Sequence, residues 1–202
     1  MSALPVVLEG SAVTALVVGG GAVATRKARA LAEAGAAVRV VAPEMSAAMR
    51  ALAASFPLAL VERAYEPGDV ADATLVIAAT SSRAVNARVA ADAHRLRRLV
   101  NVADAPEEGS FVTAAVHRAG DLVISVSAGG VPGAAARIRD AIALRFDARY
   151  ASALAALAAV RRRALGAPGG AAWSEGAQAL LGADFCAAVE SGAFEERVAA
   201  WR

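Results

Sequence analysis

An α/β fold that opens on a parallel sheet is what this sequence predicts, and three observations carry the expectation. Short apolar, β-branched runs alternate with helical stretches over the first hundred residues, the pattern that requires crossovers and parallel strands. The first of those runs ends in three consecutive glycines. The 57% hydrophobic content is mostly alanine and valine, with 4% aromatic residues, a composition suited to closely packed helices on a sheet.

The elements follow in order. Thr14 to Val18 is a buried strand that enters a tight turn at Gly19. Val23 to Ala34 has apolar positions at helical spacing and stops at Gly35. Val38 to Val41 is the second strand, and Pro43 opens a second helix through Phe56. Leu58 to Val61 and Leu75 to Ala79 are the third and fourth strands. Thr80-Ser81-Ser82 ends the fourth, ahead of a helix from Ala84 to Leu96. Leu99 to Val102 is the fifth.

Beyond Asp104-Ala105-Pro106 the pattern changes. Val112 to His117 and Leu122 to Ser127 form a hairpin around Arg118-Ala119-Gly120-Asp121. One helix is expected from Ala134 to about Arg163, then a break over 166–170, then two short helices parted by Gly192. The expected organisation is a sheet domain over 1–112, a small hairpin and helix segment over 113–148, and a helical domain over 149–202.

Bulk properties narrow the function classes. A net charge of +2 with scattered arginines does not suit nucleic acid. No apolar run nears the roughly 20 residues of a membrane span, and Met1 to Gly10 does not read as a signal peptide. A cytoplasmic protein is expected. Cys186 is the single cysteine, so neither an internal disulfide nor a multi-cysteine metal site can form.

Gly19-Gly20-Gly21-Ala22-Val23-Ala24 is a G-x-G-x-x-A run between a strand and a helix, the context that the dinucleotide fingerprint demands. Gly19 permits the turn and Gly21 lets a pyrophosphate approach the backbone. Ala24 lets the helix pack closely, and the phosphates sit on the helix N-terminus beside Ala22 and Val23. The domain is therefore expected to be Rossmann-like. Pro43 and Glu44 follow the second strand, with Glu44 23 positions after Gly21 and no arginine in the turn. An acid there accepts ribose hydroxyls, so NAD is expected over NADP; the competing role is a cap on the following helix. Thr80, ending the fourth strand, is also expected to line the cofactor.

These residues together resemble a known family, the precorrin-2 dehydrogenase and sirohydrochlorin ferrochelatase module of siroheme synthases. The likeness starts at Leu4-Pro5 and runs through Val17 to Ala24, Arg26-Lys27-Ala28 and Glu33-Ala34-Gly35-Ala36. It continues at Ala78-Ala79-Thr80, Asn86, Asn101-Val102-Ala103-Asp104-Ala105-Pro106, Ser110-Phe111 and Ser127-Ala128-Gly129-Gly130.

The resemblance implies a Rossmann domain, a dimerisation segment and a helical C-terminal domain, acting as a homodimer with the active site between the cofactor domain and the dimerisation region. It implies oxidation of precorrin-2 to sirohydrochlorin with hydride passing to NAD. Insertion of ferrous iron follows in some members. The family's proton acceptor, in an Asn-Val-x-Asp motif, falls on Asp104. Independently, Asp104 follows the fifth strand's carboxyl end, where open α/β sheets bind ligands; the bland role is a turn cap before Pro106.

His94 and His117 are weaker candidates, expected to be solvated and structural respectively. Arg118, Arg137 and Arg139 are candidates to meet the carboxylates of the tetrapyrrole. Many family members carry a second serine where Ala128 stands, and iron insertion is expected to be the weaker activity. Two other classes compete: an NAD-sensing regulatory module without catalysis, and an oxidoreductase of small keto or hydroxy acids. The latter lacks its usual separate substrate domain here.

Overall fold

The structure, a computed structural model, describes residues 4–166 and 172–201. It contains two compact units, Met1–Thr113 and Ala114–Arg202. Four of the five positions expected to form a break over 166–170 lie outside the described residues.

In the first unit five strands form one parallel sheet: β1 (Thr14–Val18), β2 (Ala37–Ala42), β3 (Leu58–Glu62), β4 (Leu75–Ala78) and β5 (Leu99–Val102), in the order β3-β2-β1-β4-β5. Three helices cross between them: α1 (Ala22–Glu33), α2 (Ala47–Ser55) and α3 (Arg83–Arg95). Alternate strand residues divide between two cores. Ala15, Val17, Val38, Val40 and Ile77 pack with Ala24, Ala28, Met49 and Leu52 of α1 and α2. Leu16, Val18, Val41, Val76, Ala78, Val100 and Val102 pack with Val89, Ala90 and Ala93 of α3. Both faces are thus covered, which is why the strands read as unbroken apolar runs. The strand order reverses beside β1, where β4 lies on its other side, the point at which open α/β sheets place their ligands at the carboxyl ends.

The second helix starts at Ala47, just past the stretch from Pro43 to Ser46 expected to open it. Ser46, in extended backbone, accepts from the Met49 amide through its hydroxyl and begins the helix there. A 3-10 turn over Pro67–Val70 follows β3. Its Asp69 is buried, accepts bonds of 2.8 and 2.7 Å from Arg63 and a bond from the Glu66 amide, and lies 3.5 Å from Arg39.

In the second unit β6 (Ala115–Ala119) and β7 (Leu122–Val126) form an antiparallel hairpin. Only Gly120 and Asp121 lie between the strands, two residues fewer than expected, because Gly120 takes φ +58° and lets the strands pair up to the turn. The helices are α4 (Pro132–Ala143), α5 (Ala148–Gly166), α6 (Ala172–Leu180), α7 (Phe185–Ser191) and α8 (Ala193–Ala200).

The single helix expected from Ala134 to Arg163 is broken at 144–147. Asp147 accepts from the Arg149 amide and starts α5 afresh, a local side-chain bond that competes with helix continuation. Three helices follow α5 where two were expected. Gly192, at φ +83°, parts α7 from α8 as its αL backbone requires. Tyr150, Val160, Leu180, Val189 and Phe194 form this unit's core, with Cys186 half-buried against it. Among the described residues no helix is long and apolar enough to cross a membrane.

Candidate active site

The turn after β1 is held by backbone packing that only glycine permits. Gly19 takes φ +129°, and a Cβ there would stand 2.3 Å from the Ala79 carbonyl oxygen. A Cβ on Gly20 would stand 2.0 Å from the Glu44 carbonyl oxygen. The loop is thus clamped between the ends of β4 and β2, with the Gly19 amide bonded to Val41 O and the Ser46 amide to Gly20 O.

Gly21 differs, because a Cβ there would meet nothing within 4 Å. It is the N-cap of α1 and offers no side chain to the helix, so the first-turn amides beside Ala22 and Val23 lack a side-chain partner and favour an anion. Thr25 fixes this entry by bonding Gly21 O through both its amide and its hydroxyl, each at 2.9 Å. A dinucleotide's pyrophosphate fits such a turn: the floor is rigid, the approach over Gly21 is open, and the helix dipole favours negative charge.

Pro43 and Glu44 are exposed just past β2. The cap on α2 is Ser46, so Glu44 does not serve as that helix's N-cap. Its backbone packs on Gly20 while its side chain is exposed.

Thr80, Asn86 and Asp104 form one hydrogen-bonded chain at the carboxyl ends of β4 and β5. Asn86 Oδ1 accepts from the Thr80 amide at 3.0 Å and from its hydroxyl at 2.8 Å. Asn86 Nδ2 donates to Thr80 O at 3.1 Å and to Asp104 Oδ1 at 3.0 Å. Arg83 in the first turn of α3 lies 3.9 Å from Asp104 and pairs with Glu108. The N-cap of the 3-10 turn over Pro106–Glu108 is Ala105, so Asp104 does not hold that position. Its carboxylate is 38% exposed, open enough to meet a ligand.

Asn101 and Ser110 explain another stretch of the motif. The Ser110 hydroxyl accepts from the Val100 amide, and the Ser110 and Phe111 amides donate to Val100 O. Asn101 Nδ2 donates to Phe111 O. The chain leaving Asp104 therefore turns back along the free side of β5.

Lys27, the chain's single lysine, ties α1 to this returning segment by donating to Thr113 Oγ1 at 3.2 Å. Burial, with the neighbouring Arg26 charge second, pushes its amine below the usual lysine range.

His94 is exposed, and its Nε2 lies 2.8 Å from Glu108 O. His117 contacts Phe146 O within the second unit. Arg118 lies on β6, and Arg137 and Arg139 on α4, where Arg139 pairs with Asp140.

No role for Asn86 follows from the motif in the sequence alone. Its signal was present: positions 86, 89, 90 and 93 form the buried stripe of α3, and an asparagine on such a stripe must find partners.

Comparison with known proteins agrees with this geometry. A family model described as putative NAD(P)-binding matches residues 6–115, just over half of the chain. The chain belongs to this NAD(P)-binding family. The match takes in the whole sheet, the glycine turn and Asp104.

A siroheme synthase of Pseudomonas fluorescens (strain Pf0-1) is 49% identical over 123 residues, 61% of this chain and 26% of that protein. One from Pseudomonas putida (strain W619) is 46% identical over 145 residues, 71% of this chain and 31% of that protein. The siroheme synthase of Saccharophagus degradans is 38% identical over 165 residues, covering 81% of this chain and 36% of that protein. The chain thus spans about a quarter to a third of the length of these relatives. Among solved structures, SirC, described as a precorrin-2 dehydrogenase, has the same fold: TM-score 0.78 over 98% of this chain and all of that one, at 24% identity.

Proposed function

We propose that this protein oxidises precorrin-2 to sirohydrochlorin with NAD, in siroheme or related tetrapyrrole synthesis, as a cytoplasmic homodimer. One observation carries the reading. A continuous run of contacts joins the glycine turn to an exposed carboxylate, from Gly19 against Ala79, through Thr80 and Asn86, to Asp104. A cofactor loop alone would serve a sensing module; a carboxylate fixed at the same end of the sheet is what a dehydrogenase adds.

Gly19, Gly21, Ala22 and Val23 would hold the pyrophosphate, Pro43 and Glu44 the adenosine ribose, and Thr80 the cofactor's edge along β4. The bound NAD supplies the hydride acceptor. Each oxidation removes two hydrogens from the macrocycle, one as hydride and one as a proton. Asp104 accepts the proton, its Oδ1 held by Asn86, and passes it to solvent through its exposed side. Rigid placement of a base in this way contributes about 10²- to 10⁴-fold. Iron insertion into sirohydrochlorin is expected to be the weaker activity, since Ala128 brings no hydroxyl.

The deciding experiment incubates the purified protein anaerobically with enzymatically made precorrin-2 and NAD and follows the visible spectrum. Conversion to the sirohydrochlorin spectrum with matching NADH formation is expected. NAD binding without any conversion would favour the sensing module instead.

A further inference from the structure

We infer that Asn86 is the positioning residue of the reaction: it holds the Asp104 carboxylate in place and sets which of its oxygens is free to accept a proton. The inference rests on the proposed dehydrogenase reading for its kinetic part only. Asn86 is fully buried in α3, 18 residues before Asp104, and its amide has no spare capacity. Oδ1 takes two bonds from Thr80, and Nδ2 gives one to Thr80 O and one to Asp104 Oδ1. Thr80 therefore fixes the amide so that an N–H, and not the carbonyl, faces Asp104.

That orientation has one chemical effect: it occupies Oδ1, and among the described residues no hydrogen bond reaches Oδ2, which is left as the accepting atom. The other charges facing this point are Arg83 from α3 and Glu108 and Glu107 from the turn after Asp104. Arg83 is already paired with Glu108, so the neutral amide of Asn86 is the nearer and better-fixed donor. Because Thr80 is also a proposed cofactor contact, the same amide ties the position of the base to that of the cofactor.

The test has a chemical arm and a kinetic arm, both on the full chain. In the first, the side-chain amide of Asn86 is followed by NMR in ¹⁵N-asparagine-labelled wild type and Asp104→Ala. Loss of the acceptor shifts the Nδ2 proton that faces Asp104 and leaves its partner proton, bonded to Thr80 O, nearly in place. In the second, NAD affinity and the kinetics of precorrin-2 oxidation are measured for Asn86→Ala, Asn86→Asp and Asn86→Ala combined with Asp104→Asn.

The expected results are a kcat lower by about ten- to a hundredfold with KM for precorrin-2 nearly unchanged, and no further loss when Asn86→Ala is added to Asp104→Asn. An Asn86 amide signal unmoved in folded Asp104→Ala overturns the inference, as do losses that multiply in the double variant. A wild type that oxidises no precorrin-2, with the amide signal displaced as expected, removes the dehydrogenase reading and leaves the Asn86–Asp104 coupling standing.

Discussion

Replacing Asp104 by Asn preserves shape and keeps an oxygen for the Asn86 amide, while removing the basic lone pair. Precorrin-2 oxidation should fall about 10²- to 10⁴-fold, with NAD affinity nearly unchanged, as single-turnover kinetics and calorimetry would show. Wild-type turnover in that variant would exclude Asp104 as the base. The exposed Glu44 side chain has no part in the Ser46 cap, so it is available to a ribose. NAD should bind at least about tenfold more tightly than NADP, since a 2′-phosphate would meet a carboxylate. Titration of both cofactors against wild type and Glu44→Gln checks this, and a wild type that prefers NADP removes Glu44 from the role.

At the scale of elements, two glycines of one turn should respond in opposite ways. Gly19→Ala forces an L residue to φ +129° against Ala79 O at 2.3 Å, so the turn must shift and stability should fall by about 1–3 kcal/mol. Gly21→Ala has open space and ordinary backbone; the melting temperature should hold while NAD affinity drops, because the methyl occupies the pyrophosphate's approach. Thermal melts with and without NAD separate the two.

The 3-10 turn after β3 carries a pH dependence. Hydrogen bonds from Arg63, helped by the Glu66 amide, hold the Asp69 carboxyl below the usual carboxylate range. A depressed folded value means the stabilisation is complete above the ordinary carboxylate pKa and is lost as pH falls through the lower folded one. Asp69→Asn should therefore cost about 1–3 kcal/mol at neutral pH and progressively less on acidification through that range; denaturant melts at several pH values measure it.

The five parallel strands were legible to within about a residue because β-branched runs bounded by Gly, Pro and Ser leave few alternatives, whereas the hairpin's first strand begins at Ala115, three residues later than expected. The 144–147 break was not, since Leu-Arg-Phe-Asp contains neither glycine nor proline and depends on one Asp147 side-chain bond. Likewise the position of Asp104 just past β5 was legible, whereas its link to Asn86 joins positions 18 apart and no local pattern exposes it.

For the whole molecule, the hairpin leaves Val116 and Val123 exposed on its outer face. A two-stranded hairpin is marginal by itself, and the two exposed valines, beside Arg118 and Ser125 on the same face, suit a second copy. The protein should run as a dimer in light scattering at micromolar concentration, and Val116→Lys with Val123→Lys should give monomers; a monomeric wild type would refute the homodimer. The sheet of the first unit ends, by contrast, on strands that must not recruit neighbours. β5 is the last strand on its side, and the returning 110–111 segment occupies the amide and carbonyl of Val100, groups that an open edge would offer to another chain. A protease cut near Gly109 should thus make the protein aggregation-prone as well as inactive, and the same short segment, still unmade while the chain is emerging during synthesis, would mark the interval in which the nascent sheet is most adhesive.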